Sequence, residues 1–120
     1  MPPSPYAPLL KTRKNLAEKH DLLTQHHITL KNGDRLELLY IADKLMLNPD
    51  GLQDYCHNHP SPWQEQVLAQ LLIDLNNELI PRWVRLRYQL SDPTQTTFLL
   101  EDRQPGWNRP DVLARLPLLS

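Results

Sequence analysis

The stretch LLTQHHITLKNGDRLELLYIADKLML, residues 22–47, decides how this chain folds. Asn32-Gly33 at its centre tolerates the positive φ that a type I′ turn demands of both central residues. Before the turn, His26, Ile28 and Leu30 alternate with His27 and Thr29. After it, Leu36, Leu38 and Tyr40 alternate with Arg35, Glu37 and Leu39. Alternation on both sides of a tight turn predicts a β-hairpin over about 23–46.

The same pattern recurs beyond the middle of the chain. In RWVRLRYQL, residues 82–90, Val84, Leu86, Tyr88 and Leu90 share one face, with Trp83, Arg85, Arg87 and Gln89 on the other. SDPTQ, residues 91–95, then turns the chain into TTFLLED, a second hairpin. Between the hairpins, NPDG at 48–51 reads as a turn and LQDYCHN as a short helix. PSPWQEQVLAQ, residues 60–70, opens the main helix. Ser61 is a good N-cap, Pro62 suits the first helical position, and Gln64 completes a capping box. Trp63, Val67, Leu68, Leu71, Leu72, Leu75 and Leu79 form one apolar face, and Pro81 ends the helix. The order ββααββ predicts an α+β fold, a four-stranded antiparallel sheet with its helices on one face. The two edges of so small a sheet invite pairing with other subunits, so a homo-oligomer is expected.

Residues 21–104 are expected to form the domain. Residues 1–20 precede it as an extended or disordered segment, since four prolines fall in the first eight residues. Residues 105–120 follow as a mostly irregular segment in which RPDVLARL makes at most a short helix. With 120 residues and 40% apolar content, the chain can bury one modest core. The 13 basic and 14 acidic residues leave a formal charge of −1, which gives no bulk attraction to nucleic acid or anionic membrane. Cys56 is the single cysteine, so no intrachain disulfide forms. Prolines and basic residues interrupt the N-terminus, and no apolar run is long enough to span a bilayer. A cytoplasmic location is the expectation.

Three groups of residues carry chemistry worth weighing. Cys56, His57 and His59 sit together in CHNH, but a zinc site needs three or four ligands and no other histidine is spaced to complete one. A polar helix end is the favoured reading, with no metal. Neighbouring helical residues point about 100° apart, so Cys56 and His57 are poorly placed as a nucleophile and base. Arg82, Arg85 and Arg87 with Trp83 form a basic, aromatic strand face. Such a face grips phosphates and bases, or is the solvated side of a sheet or a subunit interface. Glu65 lies in the first turn of the main helix, where the helix dipole favours an acid by about 0.3–1 kcal/mol. It falls just beyond the Leu72 edge of the apolar face. A carboxylate there, beside Trp63, suits the paired N–H edge of a heteroaromatic ring, although local physics explains it without a ligand.

These residues and this order resemble the tunnelling-fold (T-fold) superfamily, which includes GTP cyclohydrolase I, dihydroneopterin aldolase and pyruvoyl-tetrahydropterin synthase. Within it the chain is most similar to the 7-cyano-7-deazaguanine reductases, the nitrile reductases of queuosine biosynthesis. The matching stretch is about 57–102, with Trp63-Gln64-Glu65 at the family's Phe-His-Glu, Asp74-Leu75 at its Asp-Leu pair and Pro81-Arg82-Trp83 at its Pro-Arg-Trp. The resemblance implies that Glu65 holds the N–H edge of a purine- or pterin-like ring, with Gln64 and Trp63 beside it, in a site between subunits. It implies NADPH as cofactor if reduction is retained. The chain departs from the family in having no Cys-Pro-x-Thr-Gly-like segment and no cysteine ahead of Cys56, and it keeps Glu37 but not the Lys-Ser of the family's Glu-x-Lys-Ser. The family's covalent step thus lacks its nucleophile. A divergent enzyme and a protein that binds without catalysis both stay open. The alternative is a non-enzymatic protein- or RNA-interaction domain using the sheet edges and the Arg85/Arg87 face.

Overall fold

The computed structural model describes residues 3–59, 65–94 and 96–116. Its centre is a four-stranded antiparallel sheet in the order β2 (Leu23–Thr29), β3 (Arg35–Ile41), β5 (Trp83–Gln89), β6 (Thr97–Arg103). The first hairpin pairs Leu23 with Ile41 through to Thr29 with Arg35, and the second pairs Trp83 with Arg103 through to Gln89 with Thr97. Helices α1 (Pro49–Asn58) and α2 (Glu65–Leu79) connect the two hairpins. The α+β class and antiparallel sheet expected from the sequence are present, and the arrangement is compatible with a T-fold-like one.

The turn at residues 30–34 differs in type from the expectation. Among the described non-glycine residues only Ile80 has a positive φ, so Asn32 does not take one, while Gly33 does at 93°. The Gly33 amide donates to the Leu30 carbonyl at 2.9 Å and the Leu30 amide to the Asp34 carbonyl at 2.8 Å. This is a three-residue loop closed by a glycine bulge. Asn32 is spent instead on its side chain, whose Oδ1 accepts the Asp34 amide at 2.9 Å.

One sheet face builds the main core. Leu36, Leu38 and Tyr40 of β3 and Val84, Leu86 and Tyr88 of β5 pack against Leu52, Tyr55 and Cys56 of α1 and Leu68, Leu71, Leu75 and Leu79 of α2. At about 25 cal/mol per Å2 of apolar surface removed from water, this interface is the chief source of stability.

Three further features depart from the sequence reading. The strand expected to run on to about residue 46 stops at Ile41. Residues 45–47 form a separate strand, β4, paired antiparallel with β1 (Thr12–Lys14) in a small second sheet. The segment expected to be extended or disordered is therefore part of the fold: a 3₁₀ turn at Ala7–Leu9 leads into β1, and Ala7 and Leu10 are buried. Its backbone lies so close to α1 that only glycine fits at position 51. Third, the opposite sheet face is not wholly solvated. Trp83, Leu39 and Ile41 are buried there under Trp107, Val112, Leu113 and Leu116, around the short helix α3 (Pro110–Leu113). The apolar run Leu38–Ala42 needs cover on both faces, and the C-terminal segment supplies it.

Candidate functional site

Glu65 stands at the start of α2 as described, exposed to solvent, and no hydrogen bond or ion pair reaches it from the other described residues. Trp63 and Gln64, together with the Ser61 cap, lie outside the described residues. The helix runs from Glu65 to Leu79, one turn of apolar residues after another facing the sheet, and that packing fixes where its first turn lies.

The other sequence candidates have structural partners. Cys56 is 3% exposed in the main core, and burial pushes its thiol up to about 12. A thiol so protonated is a poor nucleophile at neutral pH. His59 is turned to the aromatic rings of Tyr6 and Tyr55, with centroids 4.7 Å and 5.9 Å away. Arg85 donates to Glu101 at 3.0 Å and lies 5.2 Å from the centroid of the Trp83 ring, whose indole N–H donates to the same carboxylate at 3.0 Å. Arg87 meets Glu37 at 3.2 Å, as does the Nδ1 of His27. The basic face is thus a lattice of alternating charge across β2, β3, β5 and β6.

Arg82 does something else. Its guanidinium donates to the carbonyl of His20 at 2.7 Å, to that of Glu18, to Asp21 at 3.2 Å and to Asp43 at 3.4 Å. It pins the loop between β1 and β2 to the end of the sheet.

Two buried carboxylates escaped the sequence reading as sites. Asp74 is fully buried and accepts four hydrogen bonds: from the Ser4 amide at 2.9 Å, the Ser4 hydroxyl, the Tyr55 hydroxyl at 2.7 Å and the Gln70 amide at 3.0 Å. Burial alone would raise its carboxyl, but these donors outweigh burial and hold it below the usual range. Asp34 accepts the Tyr88 hydroxyl at 2.6 Å, the Ser91 amide at 2.8 Å and the Asn32 side chain at 2.9 Å, with the same outcome. Both are fully used in holding segments together. The available signal for Asp74 was an acid placed among Leu71 and Leu75 in the apolar stripe, a position that demands donors.

His26, on the core face of β2, stacks on Tyr40 with centroids 5.9 Å apart, and its Nε2 is buried without a partner among the described residues. Burial, and then neighbouring His27, keep its ring below the ordinary histidine value. A neutral imidazole is the consequence.

No protein-family model matches the chain. Among curated proteins, it is 37% identical over 57 residues to an NADPH-dependent 7-cyano-7-deazaguanine reductase of Acidithiobacillus ferrooxidans, a match covering 46% of this chain and 40% of the relative. It is 33% identical over 86 residues to a protein of the same name from Nitrosococcus oceani, covering 68% of this chain and 66% of that one. Part of this chain is related to these reductases. It spans two-fifths of the first relative and just under two-thirds of the second. Among the described residues no helix is long and apolar enough to cross a membrane.

Proposed function

We propose that this chain is a T-fold-type subunit, divergent from the 7-cyano-7-deazaguanine reductases, that binds a purine- or pterin-like ring at Glu65. Gln64 and Trp63, which precede it in the sequence, are the other proposed ring contacts, and a second copy of the chain is proposed to complete the site. The observation that carries this reading is the state of Glu65. Where Asp74 and Asp34 spend their oxygens inside the fold, Glu65 stands exposed, with no side-chain partner among the described residues, in the first described turn of α2. Two carboxylate oxygens there can accept two adjacent ring N–H groups in a charge-assisted pair.

Ring binding without the relatives' reduction is the reading the chemistry favours. The relatives are named as NADPH-dependent, and reduction in this chain would need NADPH and a residue to engage the nitrile. The one cysteine is buried and protonated. The rival reading, an RNA- or protein-binding Arg85/Arg87 face, has less support because both guanidinium groups are already paired with Glu101 and Glu37.

Thermal shift against guanine, 7-deazaguanine and pterin, for the wild-type chain and Glu65→Ala, tests the reading. A ring at a hundred times its dissociation constant adds about 2.7 kcal/mol of apparent stability. The expected result is a shift with at least one ring that Glu65→Ala abolishes. A shift that survives Glu65→Ala, or none with any ring, removes it.

A further inference from the structure

A cleft of about 500 Å³, with Glu65 not among its lining residues, lies on the sheet face that carries the C-terminal segment. One wall is the loop before β2, with Lys19, His20 and Asp21. The other is the C-terminal segment, with Arg109 and Arg115. Leu23 and Val112 are its apolar lining. The volume falls within the range of small-molecule sites, and the mix of apolar lining with a few charged groups is typical of them.

Both walls are held in place. Arg82 fixes the loop through the Glu18 and His20 carbonyls, and the C-terminal wall is anchored by packing on Leu39, Ile41 and Trp83. The cleft's single acid is neutralised from within. Asp21 accepts Arg82 at 3.2 Å and Arg109 at 2.8 Å, and Arg109 closes a two-point pair with Asp111 at 3.0 and 2.9 Å. The side chains of Lys19, Arg115 and His20 are left over: no hydrogen bond or ion pair reaches any of these side chains among the described residues. In a chain of net charge −1, a cleft with two cationic side chains unpaired among the described residues, a third behind them and a satisfied acid is a local positive site.

We propose that this cleft binds a phosphorylated small molecule, with the phosphate held by Lys19 and Arg115 and the organic part lying on Leu23 and Val112. Two free cations match the double charge of a phosphate monoester better than the single charge of a carboxylate. Arginine adds a planar fork for its oxygens. The anchored walls mean that little ordering entropy opposes binding. The site is independent of the ring site at Glu65.

Isothermal titration of the full chain at low ionic strength, with adenosine 5′-diphosphate and with inorganic pyrophosphate as probes, decides the matter. The expected result is binding of the diphosphate ester more tightly than pyrophosphate, weakening with added salt. Lys19→Ala/Arg115→Ala should weaken it about tenfold or more with an unchanged Tm, because neither side chain has a partner to lose among the described residues. Each single variant, expected to lose part of the affinity, separates this from a folding defect in the double. Glu65→Ala should bind as wild type. Absence of binding at millimolar probe, wild-type affinity in the double variant, equal affinity for the two probes, or loss of binding in Glu65→Ala would each overturn the proposal.

Discussion

At the scale of single residues, the carboxylates divide by where their oxygens go. Asp74 accepts four donors in full burial and ties the N-terminal segment, through Ser4, to both helices, through Tyr55 and Gln70. Its folded carboxyl lies below the ordinary aspartate range, so its contribution is present above the unfolded pKa and is lost as pH falls through the folded one. Asp74→Asn should therefore cost about 1–3 kcal/mol in urea unfolding at pH 7, with the gap from wild type shrinking as the pH drops below about 4. Cys56 gives a second expectation. Its burial and a thiol near 12 leave almost no accessible thiolate, so iodoacetamide at pH 8 should label it only after the chain unfolds. Neither environment was legible from spacing alone. Cys56 read as part of a polar helix end, whereas the helix turns it inward with Leu52 and Tyr55; Asp74 read as part of a motif, and three of the four hydrogen bonds it accepts come from residues 70 and 19 positions away in sequence.

At the scale of elements, local signals succeeded where the partner was near in sequence. The hairpin register follows from alternation and from Gly33, and the α2 stripe follows from helical spacing. They failed where cover came from afar. The three residues of β1 are all exposed and carry no pattern, and strand β4 forms because β1 offers it a partner. Trp83 sat on the polar side of an alternating strand, and only the segment around α3 makes that side a core; the unbroken run Leu38–Ala42 was its one local hint. Two substitutions test this layer. A Cβ at position 51 would lie 2.6 Å from the Leu9 carbonyl and 2.7 Å from the Lys11 amide, both backbone atoms that cannot rotate away. Gly51→Ala should thus destabilise by about 1–3 kcal/mol despite alanine's better helix propensity, read as a lowered Tm. At the other end of α2, Ile80 takes φ 47°, a costly conformation for a β-branched residue, and is 60% exposed, with little burial to lose. Ile80→Gly should raise stability by about 1 kcal/mol in chemical denaturation, as strain relief exceeds the entropy of the added freedom.

At the scale of the whole molecule, the exposed edges and the exposed Glu65 bear on each other. Strand β2 pairs on one side only and carries neither lysine, proline nor an acid to guard its free edge, and β6 is open on its outer side. Soluble chains rarely leave such an edge bare, so association along it is the expectation, and light scattering should return a multiple of the 14.0 kDa chain mass. Gln25→Lys/Thr29→Lys places two charges at exposed positions of that edge strand and should move the mass toward one chain. The proposed ring site at Glu65 then supplies the sharper test. A lone carboxylate at a helix start offers one wall; a ring needs a second surface to exclude water before two charge-assisted hydrogen bonds count for much. If a neighbouring copy provides that surface, the thermal shift produced by a purine or pterin should grow with protein concentration and vanish in the edge variant while Glu65 itself is unchanged. An edge variant that is monomeric yet keeps the full shift would place the whole ring site within one chain and detach it from assembly.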